Sequence, residues 1–257
     1  TAAIETIISK SESPFILILD EFPIFIERML KNGIKPTDVQ EILSQFKRWR
    51  TEYPNFRMII GGSISIKHVL DKYNIHDSTI TDLYDYKLDP LNYEEAEDLI
   101  KELILNNGVH WFKEEHISET LNLITDYYPF FLQAFFMEAT KVQITKDKLP
   151  HVFETKFIPS ISRSFFDQFL TRLEKHYKED ERKITEKLFD LMVKKPDYII
   201  TSDEMKTFFE QNKQNFPDVD INRLIRNLTG DDFLIRKSNE YTFATRLVAD
   251  WWKLTRI

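Results

Sequence analysis

The stretch that most limits what this chain can fold into is "FILILDE" (residues 15–21), in which five apolar residues run straight into two adjacent carboxylates. A short continuous apolar run of this length is the pattern of a strand buried on both faces of a parallel sheet. A second such run, "PNFRMIIGGS" (residues 54–63), is stopped by the pair Gly61 and Gly62 and followed by Ser63. Between them "PTDVQEILSQFKRWR" (residues 36–50) places Val39, Ile42, Leu43 and Phe46 at helical spacing. Strand, helix and parallel strand form a βαβ unit with a right-handed crossover. Two parallel strands do not make a stable sheet by themselves. The chain opens at Thr1 with "TAAIETIISK", which reads as a helix already under way. The expectation is therefore a chain that starts inside a longer protein, with the other strands supplied from before Thr1 or by another chain.

From Asp89 onward the pattern is helical. "DPLNYEEAEDLIKELILNNG" carries a proline, the N-cap candidate Asn92, acidic residues in its first turn and Gly108 past its end. A helix pair broken at Pro129 follows, closing a helical block near Pro150, and residues 157–177 read as a connecting helix. From Glu181 the order becomes helix (182–194), short extended piece (198–201), helix (202–211), helix (220–229) and a hairpin turning at Ser238 and Asn239. Three helices and a terminal hairpin make the winged-helix arrangement. The expected fold class is α/β, a partial parallel sheet followed by an α-helical lid and a winged-helix domain, mostly helical in sum. The corresponding domain limits are 1–86, 87–155, 156–180 and 181–257.

Of the 257 residues 42% are hydrophobic, enough for a sizeable core. The net charge of -7 gives no general attraction to nucleic acid or to a membrane surface. Cysteine is absent, which removes disulfides, thiol nucleophiles and thiolate metal sites. No apolar run reaches the roughly 18 residues of a membrane span, so a cytoplasmic protein without a membrane partner is expected.

Asp20 and Glu21 end a strand where open α/β sheets bind ligands. One carboxylate there can hold Mg²⁺ through a water, and the next can orient and deprotonate a water attacking a phosphate. Ser63, at the end of the neighbouring strand, would then stand beside them and sense a phosphate. The plainer reading is that the acidic pair makes a turn or a helix cap, and that Ser63 caps the next helix.

The ordered set "FILILDEFP", "RMIIGGS", "YKLDPLNYEEAEDLIKELI", "ITDYYPFFLQ" and "YTFATRLVADWW" resembles the archaeal-type ATPases of the AAA+-like and STAND group of P-loop NTPases, over nearly the whole chain. The resemblance implies that "LILDE" is a Walker B strand, with Asp20 as the Mg²⁺ residue and Glu21 as the catalytic carboxylate. It implies a sensor-like role for Ser63, a lid opening at "LDPLNYEEAEDLI", and Tyr128 and Pro129 near the nucleotide base. ATP and Mg²⁺ are the implied cofactors, and an oligomer is compatible with the group. One departure is large: the glycines are Gly33, Gly61, Gly62, Gly108 and Gly230, and none fits the G-x-x-x-x-G-K-[ST] phosphate cradle. The family places that element just upstream of Thr1, and the fragment alone is expected to bind no ATP. The alternative is a non-catalytic DNA-binding or adaptor protein that keeps the fold.

Arg223 and Arg226 on the third helix of the terminal block, with Arg236 and Lys237 in the hairpin, are the candidate contacts to DNA phosphates. From Glu181 onward, however, 14 basic residues face 13 acidic ones, which makes protein docking or intramolecular regulation the favoured use. Tyr241, Phe243, Trp251 and Trp252 read as core and domain interface rather than as a base-stacking platform. Arg48, Arg50 and Arg163 are candidates for an arginine finger, with solvated faces or packing as the competing assignment. The six histidines, "EEHIS" included, form no zinc-ligand spacing.

Overall fold

The computed structural model describes residues 2–11, 13–161 and 165–256. In chain order the elements are α1 (Ala2–Lys10), β1 (Phe15–Leu19), α2 (Phe22–Lys31), α3 (Pro36–Glu52), β2 (Phe56–Ile60), α4 (Ile66–Lys72), α5 (Tyr93–Asn107), α6 (Glu114–Leu123), α7 (Pro129–Ala139), α8 (Leu149–Val152), α9 (Ile158–Ile161), α10 (Asp167–His176), α11 (Glu179–Met192), β3 (Ile200–Thr201), α12 (Ser202–Asn212), α13 (Ile221–Gly230), β4 (Leu234–Lys237), β5 (Glu240–Phe243) and α14 (Arg246–Arg256). A π-helical turn, Phe153–Phe157, joins α8 to α9. The chain is thus mostly helical with a small parallel sheet. Among the described residues no helix is long and apolar enough to cross a membrane.

Two compact units divide the chain: residues 1–86 with 221–233, and residues 87–220 with 234–257. In the first, β1 and β2 pair in parallel with Phe15 opposite Phe56 and Leu19 opposite Ile60. α2, which the apolar run and its carboxylates did not announce, starts two residues after β1; Phe22, Ile26 and Leu30 recur at four-residue spacing and are buried. They share a core with Val39 and Leu43 of α3 and Val69 and Leu70 of α4, against which Leu19 and Ile60 pack. Phe15, Leu17 and Met58 pack on a second cluster of Ile8, Trp49 and Phe56. The expectation of strands buried on both faces is corrected here. The side chains alternate, and Ile16 (55% exposed), Ile18 (65%) and Ile59 (54%) face outward. The reason is that the core helices of this unit pack with the side chains of one face, and period-2 alternation sends every second residue to the other.

In the second unit α5 begins in a capping box, Asn92 Oδ1 accepting the Glu95 N–H at 3.0 Å and Glu95 accepting the Asn92 N–H at 2.9 Å. It ends at Gly108, whose φ of 65° suits a glycine. Pro129 opens α7 at its first turn, where its missing N–H is no loss. β3, β5 and β4 form an antiparallel sheet in that order, with Ser238 at the hairpin turn in a left-handed conformation (φ 54°). Tyr241, Phe243, Trp251 and Trp252 are all buried. Trp252 packs edge-on against Phe189 and donates its indole N–H to Asp190 Oδ1 at 2.7 Å. This aromatic group is buried in the core. The terminal helix α14 that carries the two tryptophans is an addition to the elements read from sequence.

Candidate functional site: the carboxylates beyond the parallel strands

Backbone hydrogen bonds carry the β1–β2 pairing past the last ladder residues. Gly61 N–H donates to Leu19 O at 2.9 Å, and Phe22 N–H donates to Gly61 O at 3.1 Å. Asp20 and Glu21 are thereby fixed against the turn at Gly61 and Gly62. Both carboxylates are exposed. Asp20 Oδ1 accepts the Glu21 N–H at 2.9 Å and lies 3.3 Å from where a Cβ on Gly61 would stand. At Gly62 a Cβ would fall 2.6 Å from Pro23 Cδ, a distance real Cβ atoms do not adopt, so the turn can approach α2 only as glycine.

Glu21 is the residue before α2 and takes a left-handed conformation, φ 49° and ψ 29°. A non-glycine residue there costs about 1–2 kcal/mol, and such strain concentrates at functional sites. The conformation accompanies a link across the strands: Glu21 Oε2 accepts both the Ser63 N–H and the Ser63 hydroxyl, each at 3.1 Å. Asp20, Glu21 and Ser63 therefore form one cluster at the C-terminal ends of the strands. Ser63 does not cap α4; Ser65 does, accepting the Lys67 N–H at 3.2 Å.

The same loop is held from its other side by a residue to which the sequence analysis assigns no role. Asp231, just past α13, is buried. Its Oδ1 accepts the Ser65 N–H at 2.7 Å, and its Oδ2 lies 2.5 Å from Nδ1 of His68, also buried. A local acidic residue usually takes the N-cap N–H; here the acceptor comes from 166 residues away, so no local signal could have shown it. α13 is further tied to α4 by an ion pair at 3.1 Å between Arg226 and Asp71.

Of the other candidates, Arg223 is half-buried on α13. Arg236 and Lys237 are exposed in β4 of the other unit, where Arg236 lies over the Tyr241 ring and donates to Ser238 O at 3.1 Å. Tyr128 and Pro129 also belong to that unit. Tyr128 precedes α7, packs edge-on against Phe131, and donates its N–H to Asp126 O at 2.7 Å. Asp126 in turn accepts the N–H groups of Arg246 and Leu247 at the start of α14, and burial pushes its carboxyl above the usual range against the pull of those donors. Arg50 is a structural residue: it holds Asp82 with two hydrogen bonds of 2.8 Å and donates to Thr79 O. Arg48 pairs with Glu5 at 2.6 Å. Arg163 lies outside the described residues.

Among the described residues no three His, Asp or Glu side chains converge as a metal site. A single exposed Asp20 carboxylate beside Glu21 fits Mg²⁺ of the kind bound through one or two carboxylates, waters and substrate phosphates.

The fold that carries this cluster is ATPase-like. Among solved structures the chain is similar to a Walker-type ATPase of Pyrococcus abyssi, with a TM-score of 0.60 at 15% identity, over 93% of this chain and 63% of that one. The chain thus spans less than two thirds of that protein. No protein-family model matches the sequence, and no curated protein matches it.

Proposed function

We propose that this chain is the Walker B, lid and winged-helix portion of an Mg-ATP-dependent switch ATPase. The observation that carries the reading is the pairing of Glu21 with Ser63 next to Asp20 at the ends of two parallel strands. Asp20 holds the metal, which when bound neutralises charge on the phosphates. Glu21 accepts the proton of the attacking water as its oxygen bonds to the terminal phosphorus and the bond to the ADP oxygen breaks. Ser63 orients the Glu21 carboxylate. Tyr128 and Pro129 are assigned to the nucleotide base, and resetting of the lid and winged helix is the output. No G-x-x-x-x-G-K-[ST] phosphate cradle occurs among these 257 residues, and this reading requires one from elsewhere.

The test is Glu21→Gln in the intact protein: nucleotide binding is retained and turnover is abolished. Unchanged turnover removes Glu21 as the base.

A second reading, a regulatory adaptor, is favoured at one point by the Arg226–Asp71 ion pair, which engages within the chain a cation otherwise available to DNA. A salt-dependent gel shift lost in an Arg223→Glu, Arg226→Glu variant would support DNA binding; no shift at low salt excludes it.

A further inference from the structure

We infer that Asp231 is a positioning residue for Glu21, acting through the five-residue loop Gly61–Ser65. The inference rests on the ATPase reading for what Glu21 does, and on geometry for the link.

The loop between β2 and α4 is gripped at two points. At Ser63 it donates its N–H and hydroxyl to Glu21. Two residues on, at Ser65, it donates its N–H to Asp231. Only Ile64, buried in the core of the unit, lies between, so the loop has little freedom to move at one grip without the other. The Asp231 end is rigid for its own reasons. Its carboxylate is buried and takes a bond on each oxygen, from Ser65 and from His68. The one carboxyl group therefore ties the start of the α4 loop to the His68 ring. The backbone at Asp231 is set by the end of α13: Asp231 N–H donates to Asn227 O at 2.8 Å, Phe233 N–H donates to Leu228 O at 2.9 Å, and Asp232 between them is left-handed (φ 53°). The Phe233–Leu228 bond, closed across a left-handed residue, is the 6→1 bond found at Schellman helix ends. Gly230 packs against Ser65, where an added Cβ would lie 3.4 Å from the serine Cβ.

α13 is therefore seated on the N-terminal end of α4, and β4 begins immediately after Phe233.

Amide hydrogen exchange in the intact protein without nucleotide tests the link directly. Asp231→Ala is expected to raise exchange at the Ser63 and Ser65 amides at least 10-fold while Leu70 in α4 keeps its protection. The isosteric Asp231→Asn, which keeps an acceptor for Ser65, is expected to raise it less, and it serves if the alanine variant does not fold. Unchanged exchange at Ser63 in both variants overturns the inference. In ATP turnover, Asp231→Asn lowers kcat with KM kept, and adds nothing in a Ser63→Ala background; independent, multiplicative effects overturn it as well. If the intact protein turns over no nucleotide, the ATPase reading fails and the exchange measurement alone decides the link.

Discussion

Glu21 and Ser63 are 42 residues apart in sequence, yet a single carboxylate oxygen, Glu21 Oε2, accepts both the N–H and the hydroxyl of Ser63 at 3.1 Å. The pair closes the ends of two parallel strands and places a charged acceptor at their C-terminal edge, with a fixed direction.

Removing the carboxylate charge while keeping its shape separates binding from chemistry. Glu21→Gln is expected to lower ATP turnover in the intact protein by about 10²-fold or more, the range of a positioned general base, with nucleotide affinity within about twofold of the parent by equilibrium titration.

Ser63→Ala removes one of the two bonds to Glu21 and leaves the N–H. Because the pair is exposed, folding stability should change by no more than about 1 kcal/mol, as read by urea unfolding. On the ATPase proposal, turnover is expected to fall through kcat, since the substitution removes one of the two bonds that hold the Glu21 carboxylate in place.

Gly62→Ala is expected to be structurally costly although it adds one methyl group. The new Cβ would meet the Pro23 ring at 2.6 and 2.9 Å, and a proline at a helix start cannot rotate away. Forced overpacking of this kind costs about 1–3 kcal/mol, and denaturant midpoints of parent and variant give the figure directly.

Glu204 offers a pH test away from the site. The salt bridge from Lys195, then the Thr201 N–H and hydroxyl, hold its carboxyl down at about 2. A depressed folded-state value adds stability above the ordinary glutamate range, about 4.3, and that stability is lost as pH falls toward 2. Glu204→Gln should therefore be less stable than the parent at pH 7, with the gap closing between pH 4.5 and 2 in thermal melts.

Asp126 should show the opposite sign. Burial raises its carboxyl, so the folded chain holds a proton that the unfolded chain has already lost. Its favourable contribution is full below the ordinary aspartate range, about 3.9, and fades as pH rises through the raised value. Asp126→Asn is expected to flatten the stability profile across that window, as followed by denaturant midpoints.

Much of the local structure was legible in sequence because it depends on nearest neighbours. The runs "FILIL" and "RMII" became β1 and β2, Asn92 and Glu95 closed a capping box, Gly108 ended α5, and Ser238 turned the hairpin. α2 was missed because its apolar period starts directly behind two carboxylates that read as a strand end. The outward-facing Ile16, Ile18 and Ile59 were misread because an all-apolar strand carries no mark of which face is covered.

By itself the sequence determined β1, β2 and most of the helices, the placement of Asp20 and Glu21 at the end of a strand, and the absence of a phosphate cradle within these residues, since all three follow from local composition and spacing. Only the tertiary structure decided that one Glu21 oxygen receives both Ser63 donors, and that Asp231 grips the same loop from 166 residues downstream. Those links join donors and acceptors that no local periodicity relates. The second exists because packing buries Asp231, at the end of α13, beside His68 of α4, where each buried polar group must find a partner; the first exists because the parallel pairing of β1 and β2 brings their C-terminal ends together.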